Sequence, residues 1–107
     1  MSKDTMTYLN DETFEQFIAE GVSFIDFYAD WCGPCRMIAP IIEQLSQHLH
    51  GKAKVAKVDI ETAQNVASSY QIVSIPTIII FKDGKEVDRI VGVRTFDDFL
   101  GRVQAAI

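Results

Sequence analysis

The chain has 107 residues, a length for one small domain, and 48% of them are hydrophobic, enough for a core without disulfide staples or a structural metal. Its formal charge of -5, from 10 Lys and Arg against 15 Asp and Glu, gives no attraction for phosphate backbones or anionic lipid, so neither nucleic-acid nor membrane partners are expected. The opening MSKDTMTYLN lacks the apolar stretch of a signal peptide, and no later segment approaches the roughly 20 apolar residues of a membrane span, so a cytoplasmic location is expected.

In chain order, a short strand is predicted near Thr5 to Leu9, and Asn10 is the expected N-cap of a helix with Phe14, Phe17 and Ile18 on one face and Gly21 as its stop. Val22 to Tyr28 reads as a strand buried on both faces, and Ala53 to Asp59 as another. Between them Met37, Ile38, Ile41, Ile42, Leu45 and Leu49 mark a helix from about Pro34 to Gly51, which Pro40 should kink. Strand, helix, strand makes a βαβ unit and hence parallel pairing. A shorter helix carries Val66, Ala67 and Tyr70. Thr77 to Phe81 and Val87 to Val91 then flank Asp83-Gly84, a hairpin signal, so the sheet is mixed. A last helix, capped by Thr95, presents Phe96, Phe99, Leu100 and Val103 to one sheet face. No repeat, linker or low-complexity tract interrupts residues 1–107, which are expected to form a single α/β domain with helices on both sides of a central sheet.

The only two cysteines and the only tryptophan fall together in Trp31-Cys-Gly-Pro-Cys35. In a reducing compartment such a pair reads first as redox-active or metal-binding. The layout puts Cys32 just past the carboxyl end of a buried strand and at the start of a helix, where sites in open α/β sheets collect. Free N–H groups and the positive end of the helix dipole favour an anion there, so a thiol loses its proton more easily. Pro34 suits the first helical turn because it has no N–H to leave unsatisfied, and Gly33 lets a substrate chain approach closely. The two-residue spacer lets the sulfurs meet within one helical turn.

Inert core cysteines are a poor alternative, since Gly-Pro is poor core material. A zinc site from Cys32, Cys35, His48 and His50 fails on geometry, because thirteen helical residues from Cys35 to His48 span about 20 Å. The histidines are expected to be solvated near a helix end, and no metal site is expected. A purely stabilising disulfide is disfavoured too, since so short a loop removes little chain entropy.

Ala29-Asp-Trp-Cys-Gly-Pro-Cys-Arg-Met-Ile-Ala-Pro40 resembles the active-site signature of the thioredoxin family, and Ile75-Pro76-Thr77 resembles its proline loop; the resemblance runs over nearly the whole chain. It implies the thioredoxin fold, a central mixed five-stranded sheet flanked on both faces by four helices, with the amino-terminal strand at one edge and the hairpin at the other. It implies a monomeric protein-disulfide reductase, a thiol-disulfide oxidoreductase serving electron transport and cell redox homeostasis. Cys32 would be its exposed nucleophile and Cys35 the more buried resolving thiol. Ile75-Pro76 would be cis, and Trp31, Gly33, Pro34, Ile75, Pro76 and Gly92 would form the substrate-docking rim.

Asp26 is the only charge inside Phe24-Ile-Asp-Phe-Tyr28, and burial should raise its pKa. The resemblance gives it proton transfer to and from the resolving thiol, with Lys57 in support. Tyr28 stands where many family members carry a second tryptophan, Arg36 where many carry lysine, and Ser74 where glycine is frequent. No G-x-G-x-x-G loop or flavin site is visible, so no bound cofactor is expected. Electrons would come from an external NADPH-dependent thioredoxin reductase, and the substrates would be disulfide-containing proteins. An oxidant or isomerase on the same fold, and a redox-independent binding subunit, remain as alternatives; the Gly-Pro spacer resembles the reducing members.

Overall fold

Five strands and four helices make up residues 6–107, which the computed structural model describes; Thr5, expected in the first strand, lies outside them. They run β1 Thr7–Leu9, α1 Phe14–Ile18, β2 Val22–Tyr28, α2 Gly33–His48, β3 Lys54–Asp59, α3 Gln64–Ser69, β4 Thr77–Lys82, β5 Lys85–Val91 and α4 Phe96–Ala106. The sheet order is β1-β3-β2-β4-β5. β3 pairs parallel with β1 and β2, because the connections cross over through helices, whereas β4 runs antiparallel to β2 and β5. This is the mixed sheet with opposite edges that the sequence and its resemblance implied.

Alternation along β2 explains why both its faces are buried. Phe24 joins Ile38, Ile42 and Leu45 of α2 and Phe99 and Val103 of α4 in one cluster. Ile25 and Phe27 point the other way, toward Phe14 and Ile18 of α1 and Val66 of α3. A strand so placed has no polar face to spare, hence its near-continuous apolar run.

Local chemistry sets the element ends. Asn10 does cap the first coil, its side-chain oxygen accepting from the Glu12 and Thr13 N–H groups at 2.9 Å each. The helix proper nevertheless begins only at Phe14, after a turn. Pro40 lacks the N–H that would meet the Arg36 carbonyl, yet α2 continues through it as one helix. It closes at His48, short of the predicted Gly51, with the Leu49 N–H still reaching back to Leu45 at 2.9 Å. Asp83 and Gly84 have φ of +51° and +86°, the two positive values a tight type I′ hairpin demands. Asp83 also ties this turn to the start of β2: its carboxylate accepts from the Gly21 N–H at 2.8 Å, and its own N–H donates to the Gly21 carbonyl at 2.9 Å. Past the turn the register slips, Ile80 facing Asp88 and Phe81 facing Glu86, so Val87 bulges out. Thr95 caps α4, accepting from the Asp98 N–H at 3.1 Å.

Candidate active site at the head of the second helix

Tyr28 ends β2, and four residues later the chain has turned into α2 with Cys32 as its N-cap. Cys32 has extended dihedrals, φ -88° and ψ 111°, and its sulfur accepts the Cys35 N–H at 3.2 Å. A sulfur thus occupies the position that a serine or aspartate oxygen usually fills at a helix start. Pro34 sits in the first turn, where no N–H is needed. Cys32 and Cys35 are joined as a disulfide, their Cα atoms 5.2 Å apart. The same N–H that contacts Cys32 Sγ, together with the helix dipole, would stabilise a thiolate there once the bond opens.

The two sulfurs differ less in accessibility than expected. Cys32 is 4% exposed and Cys35 3% in this closed state. The cause is packing: Ala29, Ile60 and Ile75 lie against the pair, and each sulfur shields the other. Cys32 Sγ stands 3.8 Å from the Ile75 carbonyl oxygen. Ile75-Pro76 is cis. Gly92 closes the same rim from the end of β5, donating its N–H to the Pro76 carbonyl at 2.9 Å, with a φ of +99° that favours glycine. Ile75, Pro76 and Gly92, far apart in sequence, are thus brought together. Gly33 and Pro34 flank the disulfide, Pro34 exposed.

Trp31 is 63% exposed and is held from one side, its indole N–H donating to the Glu61 carboxylate at 2.6 Å. Sequence reasoning missed Glu61. It follows the carboxyl end of β3, the sheet edge where sites gather, so its loop carried a signal even though its partner did not. Arg36 is likewise anchored, donating to the Asp30 carbonyl at 2.7 Å.

Asp26 is fully buried on the α2 side of β2, and neither carboxylate oxygen has a hydrogen-bond partner. Burial pushes its pKa up to about 7, against the downward pull of Lys57, its register partner on β3. The group can therefore gain or lose a proton near neutral pH. A cavity of about 110 Å³ lies between Cys35 and Lys57, bounded also by Tyr28, Asp30 and Arg36, with room for a few waters. A larger hollow of about 670 Å³ lies near Thr7, Phe17, His50 and Lys54, but no sulfur and no buried acid lines it. His48 and His50 are both exposed, beyond reach of the cysteines at the other end of α2. No group of three or more His, Cys, Asp or Glu among the described residues is arranged to hold a metal ion. None of the helices is long and apolar enough to cross a membrane.

Comparison with known proteins agrees with this geometry. The family model described as Thioredoxin matches residues 5–105. Over 84 residues, 78% of this chain and 81% of the relative, the sequence is 45% identical to a thioredoxin of Staphylococcus aureus strain Mu50 / ATCC 700699. Thioredoxins of strains MW2 and N315 match to the same extent. A redox-closed cysteine pair at the mouth of a βαβ unit and a family match over almost the whole length lead to one conclusion: the chain belongs to the thioredoxin family and is a dithiol-disulfide reductase.

Proposed function

We propose that the Cys32 thiolate is the nucleophile and Cys35 the resolving thiol. Cys32 attacks one sulfur of a protein disulfide, forming a mixed disulfide and expelling the other sulfur as a thiolate. Cys35 then attacks Cys32 Sγ, closing the Cys32–Cys35 bond and releasing the second substrate sulfur. Two electrons pass to the substrate, and the protein is left oxidised. The observation that carries this assignment is the Cys35 N–H aimed at Cys32 Sγ, which favours negative charge on Cys32 rather than on Cys35.

Asp26 accepts the Cys35 proton as the resolving attack begins and returns it later. A buried carboxyl titrating near 7 behind the helix, with Lys57 opposing the burial, supports that role. Trp31, Gly33, Pro34, Ile75, Pro76 and Gly92 form the rim on which an extended substrate segment lies. Electrons return through an NADPH-dependent thioredoxin reductase. The protein works as a monomer, a single domain over residues 1–107, in the cytoplasm, the compartment where thiols are kept reduced.

Reduction of a protein disulfide with NADPH and thioredoxin reductase tests direction and electron source together. Cys35→Ser should accumulate substrate on Cys32 as adducts that survive denaturing gels and vanish with excess reductant, while Cys32→Ser should trap almost none. Equal, reductant-insensitive capture by both variants, without turnover by the wild type, would sink the assignment.

A further inference from the structure

Among the described residues no carboxylate forms an ion pair with Lys57, and neither oxygen of Asp26, its register partner, has a hydrogen-bond partner. Aromatic rings surround its ammonium instead. Nζ lies 4.5 Å from the centroid of Tyr28 and 6.0 Å from that of Tyr8. The two rings are 6.3 Å apart and inclined at 66°, so they form two walls of one corner. The register explains the meeting, because Tyr8 of β1, Lys57 of β3 and Asp26 of β2 are successive neighbours across the sheet, and Tyr28 follows Asp26 on the same face.

We propose that Tyr28 and Tyr8 are positioning residues whose ring faces hold the Lys57 ammonium in place beside Asp26, a role that rests on the Asp26 proton transfer proposed above only for its effect on turnover. A lysine on a flexible four-carbon stem would otherwise extend into water, where its attraction for a buried acid fades. Ring faces attract the cation without neutralising it. An aspartate in their place would take the charge for itself and leave Asp26 unassisted. Among the described residues, the other charged or titratable groups about the corner are Asp59 on β3, Asp30 after β2 and Arg36 on α2, with Cys35 held in the disulfide. Arg36 is engaged with the Asp30 carbonyl.

The Asp26 carboxyl, followed by carbon-13 NMR in the oxidised full-length protein, gives a readout that a packing role would move in the opposite sense. Tyr28→Leu should raise the Asp26 midpoint by about half a pH unit, because the ammonium is released. If Tyr28 merely filled space, its loss would admit water and lower the midpoint. Tyr28→Phe keeps the ring and should leave the midpoint where it is. Tyr8→Leu, on a different strand, should raise it less, in keeping with the longer distance. In a Lys57→Met background the rise caused by Tyr28→Leu should vanish. An unmoved or lowered midpoint in Tyr28→Leu, or a rise that persists without Lys57, overturns the proposal. The acid limb of turnover against pH separates it from the function proposed above. If the midpoint rises and the limb stays, the cradle stands and proton transfer by Asp26 falls.

Discussion

The two faces of the sheet are both packed by a pair of helices, but they bury different chemistry. Under α1 and α3 the strands present Ile25, Phe27, Ala56, Val58, Ile79 and Phe81, with the neutral Ser23 hydroxyl the one buried polar side chain without a hydrogen-bond partner among the described residues of that face. Under α2 and α4 the same strands present Phe24, Val55, Ile78 and Ile80, and then, toward the cysteine end, Asp26 beside Lys57. One face holds the fold together; the other does so and also carries an ionisable group that burial disfavours. The destabilising residue lies on the α2 side of the sheet, the side of the cysteine pair, where the proton transfer proposed above would use it.

The apolar face can be broken outright. Phe81 is fully buried, its ring 5.7 Å from Phe14 and 5.3 Å from Tyr70. Phe81→Ala should lower stability by about 3–5 kcal/mol, measured by denaturant unfolding. Turnover per folded molecule should be unchanged, and a large loss of specific activity would show that this face also shapes the site.

On the other face the sign reverses. Asp26→Asn should stabilise the protein by about 2 kcal/mol at pH 8, since the charge no longer has to be buried although an amide still must be. The folded-state pKa, about 7, lies above the ordinary 3.8, so the folded form retains a proton that the unfolded form has lost. The destabilisation due to Asp26 therefore grows as pH rises from about 4 to about 7 and is level above that. At pH 4 the variant should show almost no gain. Disulfide reduction should slow at the same time, and a gain independent of pH would mean that the Asp26 pKa is the same in the folded and the unfolded protein.

The disulfide gives the mildest test of the α2 side. The chain-entropy relation assigns a four-residue loop about 2 kcal/mol, and a helix cap strengthened when a free thiolate accepts the Cys35 N–H should offset part of it. Thermal melts with and without reductant should place the oxidised form slightly higher. A higher midpoint for the reduced form would mean that the capping gain exceeds the loop term.

What could be read from residue order alone was whatever local chemistry decides. Asp83-Gly84 named its own turn, Thr95 its own helix start, and the apolar run Phe24 to Tyr28, broken only by Asp26, its place inside the sheet. The cysteine pair, the buried acid and the proline loop were legible as a site because residue type, spacing and resemblance coincided. The rest depended on contacts between residues remote in the chain. Glu61 meets Trp31 across thirty positions, and Tyr8 meets Lys57 only because β1 pairs with β3. The bulge at Val87 arises from a slip of register that no single residue announces. The near-equal burial of Cys32 and Cys35 belongs to the closed disulfide and to Ile60 and Ile75 packed on it, not to either cysteine's position in the motif.

A sulfur that caps a helix has a consequence for anyone altering this chain. Serine is among the better N-cap residues and alanine among the poor ones, separated by about 1 kcal/mol. Cys32→Ser therefore deletes the reaction and leaves α2 with a start it can use, whereas Cys32→Ala deletes both together. Setting those two variants side by side divides what one atom contributes to architecture from what it contributes to electron transfer, a division that few reactive side chains permit.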